Sequence, residues 1–104
     1  MNNDLNKYQD IAERLKVMAH PVRLCILRNL LINGGCNVSH MQNCLGTPQS
    51  TVSQHLQKLR AAGMVKAERK GLLVEYVVAD PTLRQIIEVL FVEDKLGGKG
   101  NGKK

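Results

Sequence analysis

The sequence lacks what several protein classes require. No run of apolar residues approaches the roughly 18 that a membrane-spanning helix needs. The opening Met1-Asn2-Asn3-Asp4 has neither the basic start nor the apolar stretch of a secretory signal. Three cysteines are an odd number, which suits thiols in the cytoplasm rather than a disulfide framework. Aromatic residues are scarce, with two tyrosines, one phenylalanine and no tryptophan. The chain carries no nucleophile–base constellation and no phosphate-cradling glycine loop, so it does not read as an enzyme. What is present is ordinary globular material: 104 residues, 43% hydrophobic and 23% charged. That is enough for one domain and too little for two, with an expected radius of gyration of about 13 Å for a compact monomer.

Charge of one sign is missing where it matters. The net charge is +6, and it is unevenly spread. Residues 50–70 set Lys58, Arg60, Lys66, Arg69 and Lys70 against Glu68 alone, whereas residues 71–93 set Arg84 against Glu75, Asp80, Glu88 and Glu93. A basic stretch attracts phosphates and steers association with nucleic acid, although solvated lysines give the same count.

Apolar spacing predicts the elements. Leu5, Tyr8, Ala12, Leu15 and Met18 recur at helical intervals from about Asp4 to Met18. Pro21 opens a second helix containing Leu24, Ile26, Leu27, Leu30 and Leu31, which Asn33-Gly34-Gly35 stops. A short helix with Val38, Met41 and Leu45 ends at Gly46. Thr47-Pro48 restarts the chain as an N-cap and first-turn proline, and Val52, Leu56 and Leu59 repeat at i, i+4, i+7 until Gly63. Met64–Arg69 and Leu72–Val78 read as two strands around a Lys70-Gly71 turn. Asp80-Pro81 opens a last helix with Leu83, Ile86, Ile87, Leu90 and Phe91 on one stripe. The predicted fold class is mainly α with a two-stranded β-hairpin wing, a winged helix-turn-helix. It occupies residues 1–96, followed by a Gly/Lys tail at 97–104 expected to be disordered.

The stretch from Val38 to Ala62 carries the functional argument. A short helix, a glycine turn and a longer helix form the pattern in which the second helix enters the major groove. Val52, Leu56 and Leu59 lie within about 40° of one another on the helical wheel. The opposite side presents Ser50, Thr51, Gln54, Gln57 and Lys58, and no acid occurs anywhere from Pro48 to Ala62. Glutamine bonds adenine through two atoms, hydroxyls serve base edges or phosphates, and a carboxylate would be repelled by the backbone. The expected DNA contacts are Gln49, Ser50, Thr51, Ser53, Gln54, His55, Gln57 and Lys58, joined by Lys66, Arg69 and Lys70 of the wing. His20, before the proline, reads as a packing and capping residue; His55 either meets the DNA backbone or is solvated. The lysines of the hairpin would also serve to protect a sheet edge.

At these residues the chain resembles the ArsR/SmtB family of bacterial repressors. Met18-Ala19-His20-Pro21-Val22-Arg23-Leu24-Cys25-Ile26-Leu27 is similar to that family's opening motif. Gln49-Ser50-Thr51-Val52-Ser53-Gln54-His55-Leu56-Gln57-Lys58-Leu59 is similar to its recognition helix, and Gly63-Met64-Val65 with Arg69-Lys70-Gly71 and Tyr76 to its wing. The resemblance implies a homodimeric repressor that leaves a double-stranded DNA operator when an inducer arrives. Half-sites about 34–36 Å apart also call for two chains. The first and last helices are the expected dimer contacts, the last the larger.

The inducer is open. Metalloid sensors of the family carry Cys-x-Cys at the start of the third helix, where this chain has Cys36-Asn37-Val38-Ser39-His40, so that pair is absent. Zinc sensors of the family carry Asp-x-His near the start of the last helix, where Asp80-Pro81-Thr82 keeps the acid but has no histidine and none follows, so a metal site there is not expected. Thiol sensors in the family pair cysteines of the second and last helices, and the last helix here has none. Cys36, His40 and Cys44, at i, i+4, i+8, are the residues available to a soft metal ion. Eight residues span about 12 Å of helix, too far for all three to share one ion or for Cys36 and Cys44 to bridge directly. Cys25 is expected among leucines as a small buried hydrophobe, and Cys36, after two glycines, as the exposed and oxidisable thiol. Three readings follow: a repressor with another inducer, a thiol-redox repressor using Cys36 with Cys25 or Cys44, and a winged-helix interaction module that does not bind DNA.

Overall fold

A computed structural model describes residues 2–92, with side chains from Asp4. The expected tail from Gly97 lies outside the described residues. The elements are α1 (Asn2–Met18), α2 (Pro21–Asn33), α3 (Val38–Leu45), α4 (Gln49–Ala61), β1 (Val65–Lys70), β2 (Leu73–Val78) and α5 (Pro81–Leu90). The order and number of elements match the expectation, and the fold is a mainly helical one with a two-stranded antiparallel wing.

Local chemistry sets most boundaries. His20 caps α2, its Nδ1 accepting the Val22 N–H at 3.1 Å, with Pro21 in the first turn. Asn37 caps α3 by accepting the His40 N–H at 2.8 Å. Asp80 caps α5 by accepting the Thr82 N–H at 2.9 Å. The α4 start departs from expectation. Pro48, not Thr47, occupies the N-cap position, and no side chain caps the helix. Thr47 instead turns its hydroxyl back to the Leu45 carbonyl at 3.3 Å. The hairpin turn also sits one residue later than predicted. Lys70 pairs with Leu73, leaving Gly71-Leu72 as the loop, and Gly71 takes φ +65° at the first loop position.

Val52, Leu56 and Leu59 of α4 are buried together with Ile26, Leu27 and Leu30 of α2, Met41 of α3, Met64, Val65, and Leu83 and Ile87 of α5. Among the described residues this core contains no buried polar or charged side chain. Truncating a buried leucine such as Leu56 to alanine costs on the order of 2–5 kcal/mol, a large share of the 5–15 kcal/mol that holds a typical domain folded.

A third extended segment completes the sheet. Cys36 bridges Tyr76 of β2 through Cys36 N–H to Tyr76 O at 3.1 Å and Tyr76 N–H to Cys36 O at 2.7 Å. Gly35 makes this approach feasible. It has φ +127°, and a Cβ there would lie 2.9 Å from Val77 Cγ1. The two glycines therefore do not loop Cys36 outward; they press it against β2.

The molecule is flatter than a compact monomer, at 46 × 40 × 22 Å with a radius of gyration of 15.1 Å. Helix α1 lies largely outside the core. It anchors through Met18 in the core, but Leu5, Tyr8, Ile11 and Leu15 remain exposed. Arg14 Nη2 of α1 donates to Asp80 Oδ2, so one carboxylate caps α5 with one oxygen and holds α1 with the other. Asp80→Ala is expected to lower stability by about 1–2 kcal/mol through the lost cap. Asp80→Asn keeps a capping oxygen and should lose less. Urea unfolding followed by circular dichroism checks this; equal losses would assign the effect to the ion pair instead.

Candidate nucleic-acid interface

Burying Val52, Leu56 and Leu59 turns the other side of α4 to solvent. Gln49, Ser50, Gln54, Gln57 and Lys58 are exposed, and Thr51 and Ser53 are half-buried at the edges. The acid-free side of the helix is therefore the outward side. The uncapped α4 start adds to it. The helices α2, α3 and α5 satisfy a first-turn N–H group with a side chain, whereas α4 has no side-chain cap. Lys58 and Arg60 lie in its last turn.

His55 is not simply solvated. It is half-buried, its Nδ1 accepts from Arg23 Nε at 3.2 Å, and its ring centroid lies 4.4 Å from that of His20. It faces α2 rather than open solvent. Arg23, 32 residues away in sequence, was legible only as part of the α2 motif, because helical spacing carries no information on contacts between helices.

The wing is less uniformly basic than its sequence. Alternation along the strand puts Lys66, Glu68 and Lys70 on one face of β1 and Arg69 on the other. Lys66 Nζ lies 3.6 Å from Glu68 and Lys70 Nζ lies 3.7 Å from Glu75. Such exposed pairs contribute little and yield readily to a phosphate. Leu72 at the tip is 99% exposed.

A helix-turn-helix domain model matches residues 18–68. The transcriptional repressor PagR of Bacillus anthracis is 44% identical over 82 residues, which are 79% of this chain and 82% of that protein. Its crystal structure superimposes with a TM-score of 0.76 at 42% identity, covering 83% of this chain and 98% of that one. The repressor SmtB of Mycobacterium tuberculosis is 43% identical over 75 residues, 72% of this chain and 55% of that protein. Reduced HlyU from Vibrio cholerae superimposes with a TM-score of 0.81 at 30% identity, covering 88% and 96% of the two chains. The chain belongs to the ArsR/SmtB family. As an ArsR/SmtB protein it is a DNA-binding helix-turn-helix transcriptional regulator and not an enzyme. That sets aside the interaction module without DNA. No helix among the described residues is long and apolar enough to cross a membrane.

Within this ArsR/SmtB regulator the cysteine expectations are reversed. Cys36 is buried and Cys25 is exposed, as is Cys44. Cys36 owes its burial to the β2 bridge described above. Burial also pushes its thiol pKa up, offset in part by the Asn33 amide 3.5 Å from Sγ, with Cys44 and Glu75 adding smaller upward effects. Cys25 lies on the solvent side of α2, where Asn29 Nδ2 donates to its Sγ at 3.5 Å. The i, i+4, i+8 face is not formed, because α3 starts at Val38, after Cys36. Only His40 and Cys44 meet, with Nε2 and Sγ 3.5 Å apart. Among the described residues no three potential metal ligands converge. Treating native protein with a maleimide is expected to label Cys25 and Cys44 quickly and Cys36 at least about tenfold more slowly, because the thiolate is the reactive form. Fast labelling of Cys36, located by mass spectrometry, would contradict its burial.

Proposed function

We propose that the protein is a cytoplasmic homodimeric repressor that binds a near-palindromic operator, one α4 per half-site, with the wings on flanking DNA. The observation that carries this reading is the outward face of α4, free of carboxylates along its whole length and backed by an apolar edge sunk in the core. Gln54 and Gln57 are the residues suited to base edges; Ser50, Thr51, Ser53 and Lys58 suit phosphates or base edges. Arg69 is the wing cation with no glutamate paired to it in the hairpin face described above. Repression is the activity named for PagR and SmtB.

The dimer reading is supported by apolar side chains that the chain leaves uncovered. On α1 Tyr8 is 66% exposed, with Leu5, Ile11 and Leu15 beside it. On and just after α5, Val89, Leu90 and Val92 are exposed. Paired across a two-fold axis these helices would bury one another. The exposed set on α1 is at least as large as that on α5.

The inducer remains separate from these contacts. A thiol-redox mechanism beginning at Cys36 is disfavoured by that residue's burial, so oxidation would have to begin at Cys25 or Cys44. His40 and Cys44 supply two soft donors, which is fewer than a closed metal site requires.

Three measurements test the reading. Gln54→Ala is expected to cost on the order of 1–3 kcal/mol on a selected operator and little on random duplex. Equal losses on both would remove that residue from base reading. The slope of log K against log salt should fall by about 0.9 for each phosphate contact deleted, so Arg69→Ala should flatten it. Sedimentation equilibrium of a Tyr8→Glu, Leu15→Glu double variant should give a single chain in place of two. An unchanged mass would move the interface away from α1.

A further inference from the structure

The DNA-reading helix is seated by more than apolar packing. Arg23 Nε of α2 donates to His55 Nδ1 of α4 at 3.2 Å, and Nη1 of the same guanidinium donates to the Val17 carbonyl of α1 at 3.0 Å. One side chain thus fastens the end of α1, the start of α2 and the middle of α4. The His20 ring packs beside it, 4.4 Å from the His55 ring and tilted by 47°. Its own Nδ1 is occupied as the α2 cap. Both imidazoles therefore use Nδ1 as an acceptor, which requires that nitrogen to carry no proton.

The surroundings of His55 oppose a second proton. Arg23 faces it from α2, His20 from the α2 cap and Lys58 from its own helix. From α1, Lys16 lines the adjoining recess with Arg23 and Lys58, and pairs with Glu13 at 3.7 Å. In β1, Lys66 and Glu68 are paired with each other, and in α3 His40 lies against Cys44. Burial first, then His20, Arg23 and Lys58, hold the His55 pKa below its ordinary 6.5. A depressed value fixes the sign. The contribution of neutral His55 is complete above about pH 6.5 and is lost as pH falls toward the lower folded value, because the unfolded chain takes up the proton first. Once protonated, Nδ1 becomes a donor facing the Arg23 N–H.

We propose that Arg23 is a positioning residue for DNA binding: through the neutral His55 ring it sets the seat of α4, so that protonating His55 unseats the helix and weakens the grip on DNA. The inference rests on the reading of α4 as the DNA-contacting helix. Its sign distinguishes it from direct contact. A histidine touching a phosphate gains charge on acidification and tightens binding; a histidine that must accept from Arg23 does the opposite.

The test uses the full chain and a duplex of about 30 bp that the protein itself selects from random-sequence DNA at about pH 7.5, at constant salt. Lowering the pH to about 5.5 is expected to weaken wild-type binding about threefold. His55→Asn, whose Oδ1 can take the place of Nδ1 but does not titrate, should lose most of this pH dependence. Arg23→Ala should bind about fivefold more weakly at the higher pH, the effect of one lost hydrogen bond, and show a flatter profile. Wild-type binding that tightens on acidification, or an Asn variant as acid-sensitive as wild type, overturns the proposal. Nitrogen-15 NMR of the imidazoles in the free protein tests the seat without DNA. His55 should carry its proton on Nε2 and titrate below 6.5, moving upward in Arg23→Ala. Failure to select any duplex would defeat the DNA reading alone, whereas a His55 titration indifferent to Arg23→Ala would defeat the positioning role alone.

Discussion

The structure depends on the edge of α4 formed by Val52, Leu56 and Leu59. These three side chains are almost wholly withdrawn from water and meet α2, α3 and the first strand in one apolar cluster. Burial of this kind contributes about 1.5–3 kcal/mol per side chain, and it fixes rotation as well as position. A helix turned by one residue would move about 100°, carrying Gln54 or Gln57 toward the core and leucine toward solvent. The polar composition of the opposite face has meaning only because this edge admits a single rotation.

Electrostatics acts on top of that frame and is organised by omission. The outward α4 face carries no acid, while five carboxylates elsewhere are paired: Glu13 with Lys16, Asp80 with Arg14, Glu68 with Lys66, Glu75 with Lys70, Glu88 with Arg84. Exposed pairs of this sort add little stability. Their consequence is the field they leave: the wing face bearing Lys66 and Lys70 is close to neutral until a phosphate displaces a glutamate, whereas α4 is unscreened. In the proposed complex this would weight DNA affinity toward the helix, with the wing adding contacts after docking.

The helices and the hairpin were legible in the sequence because their signals are local. Apolar spacing, Pro21 and Pro81 after their caps, and glycines at Gly34, Gly46 and Gly63 all act within a few residues of where they are read. The α4 core edge and its polar face were legible for the same reason. The cysteines were not. Gly34-Gly35 resembles a loop that would expose Cys36, but the segment pairs with Tyr76, forty residues on. The leucines around Cys25 suggested burial, yet its own place on the α2 cylinder faces water. The contact of His55 with Arg23 was hidden by the same limit. A wheel shows which side of a helix a residue occupies, but not that Arg23 waits there with a donor.

The flatness of the chain bears on how it meets DNA. At 17 residues α1 is roughly 25 Å long, and only its C-terminal end enters the core. A helix whose apolar stripe stays in water is poorly supported by its own propensity, so α1 is held at its C-terminal end by Val17 and Met18 and by the Arg23 bond to the Val17 carbonyl, with the Arg14–Asp80 pair as a further link. The two helices that expose apolar side chains are thus tied to each other at one carboxylate. In the proposed dimer this tie would let α1 and α5 present their stripes as one rigid surface, and the spacing of the two α4 helices would follow from that surface. A chain with the α1 stripe folded back over its own core would leave less apolar surface for the proposed dimer to bury.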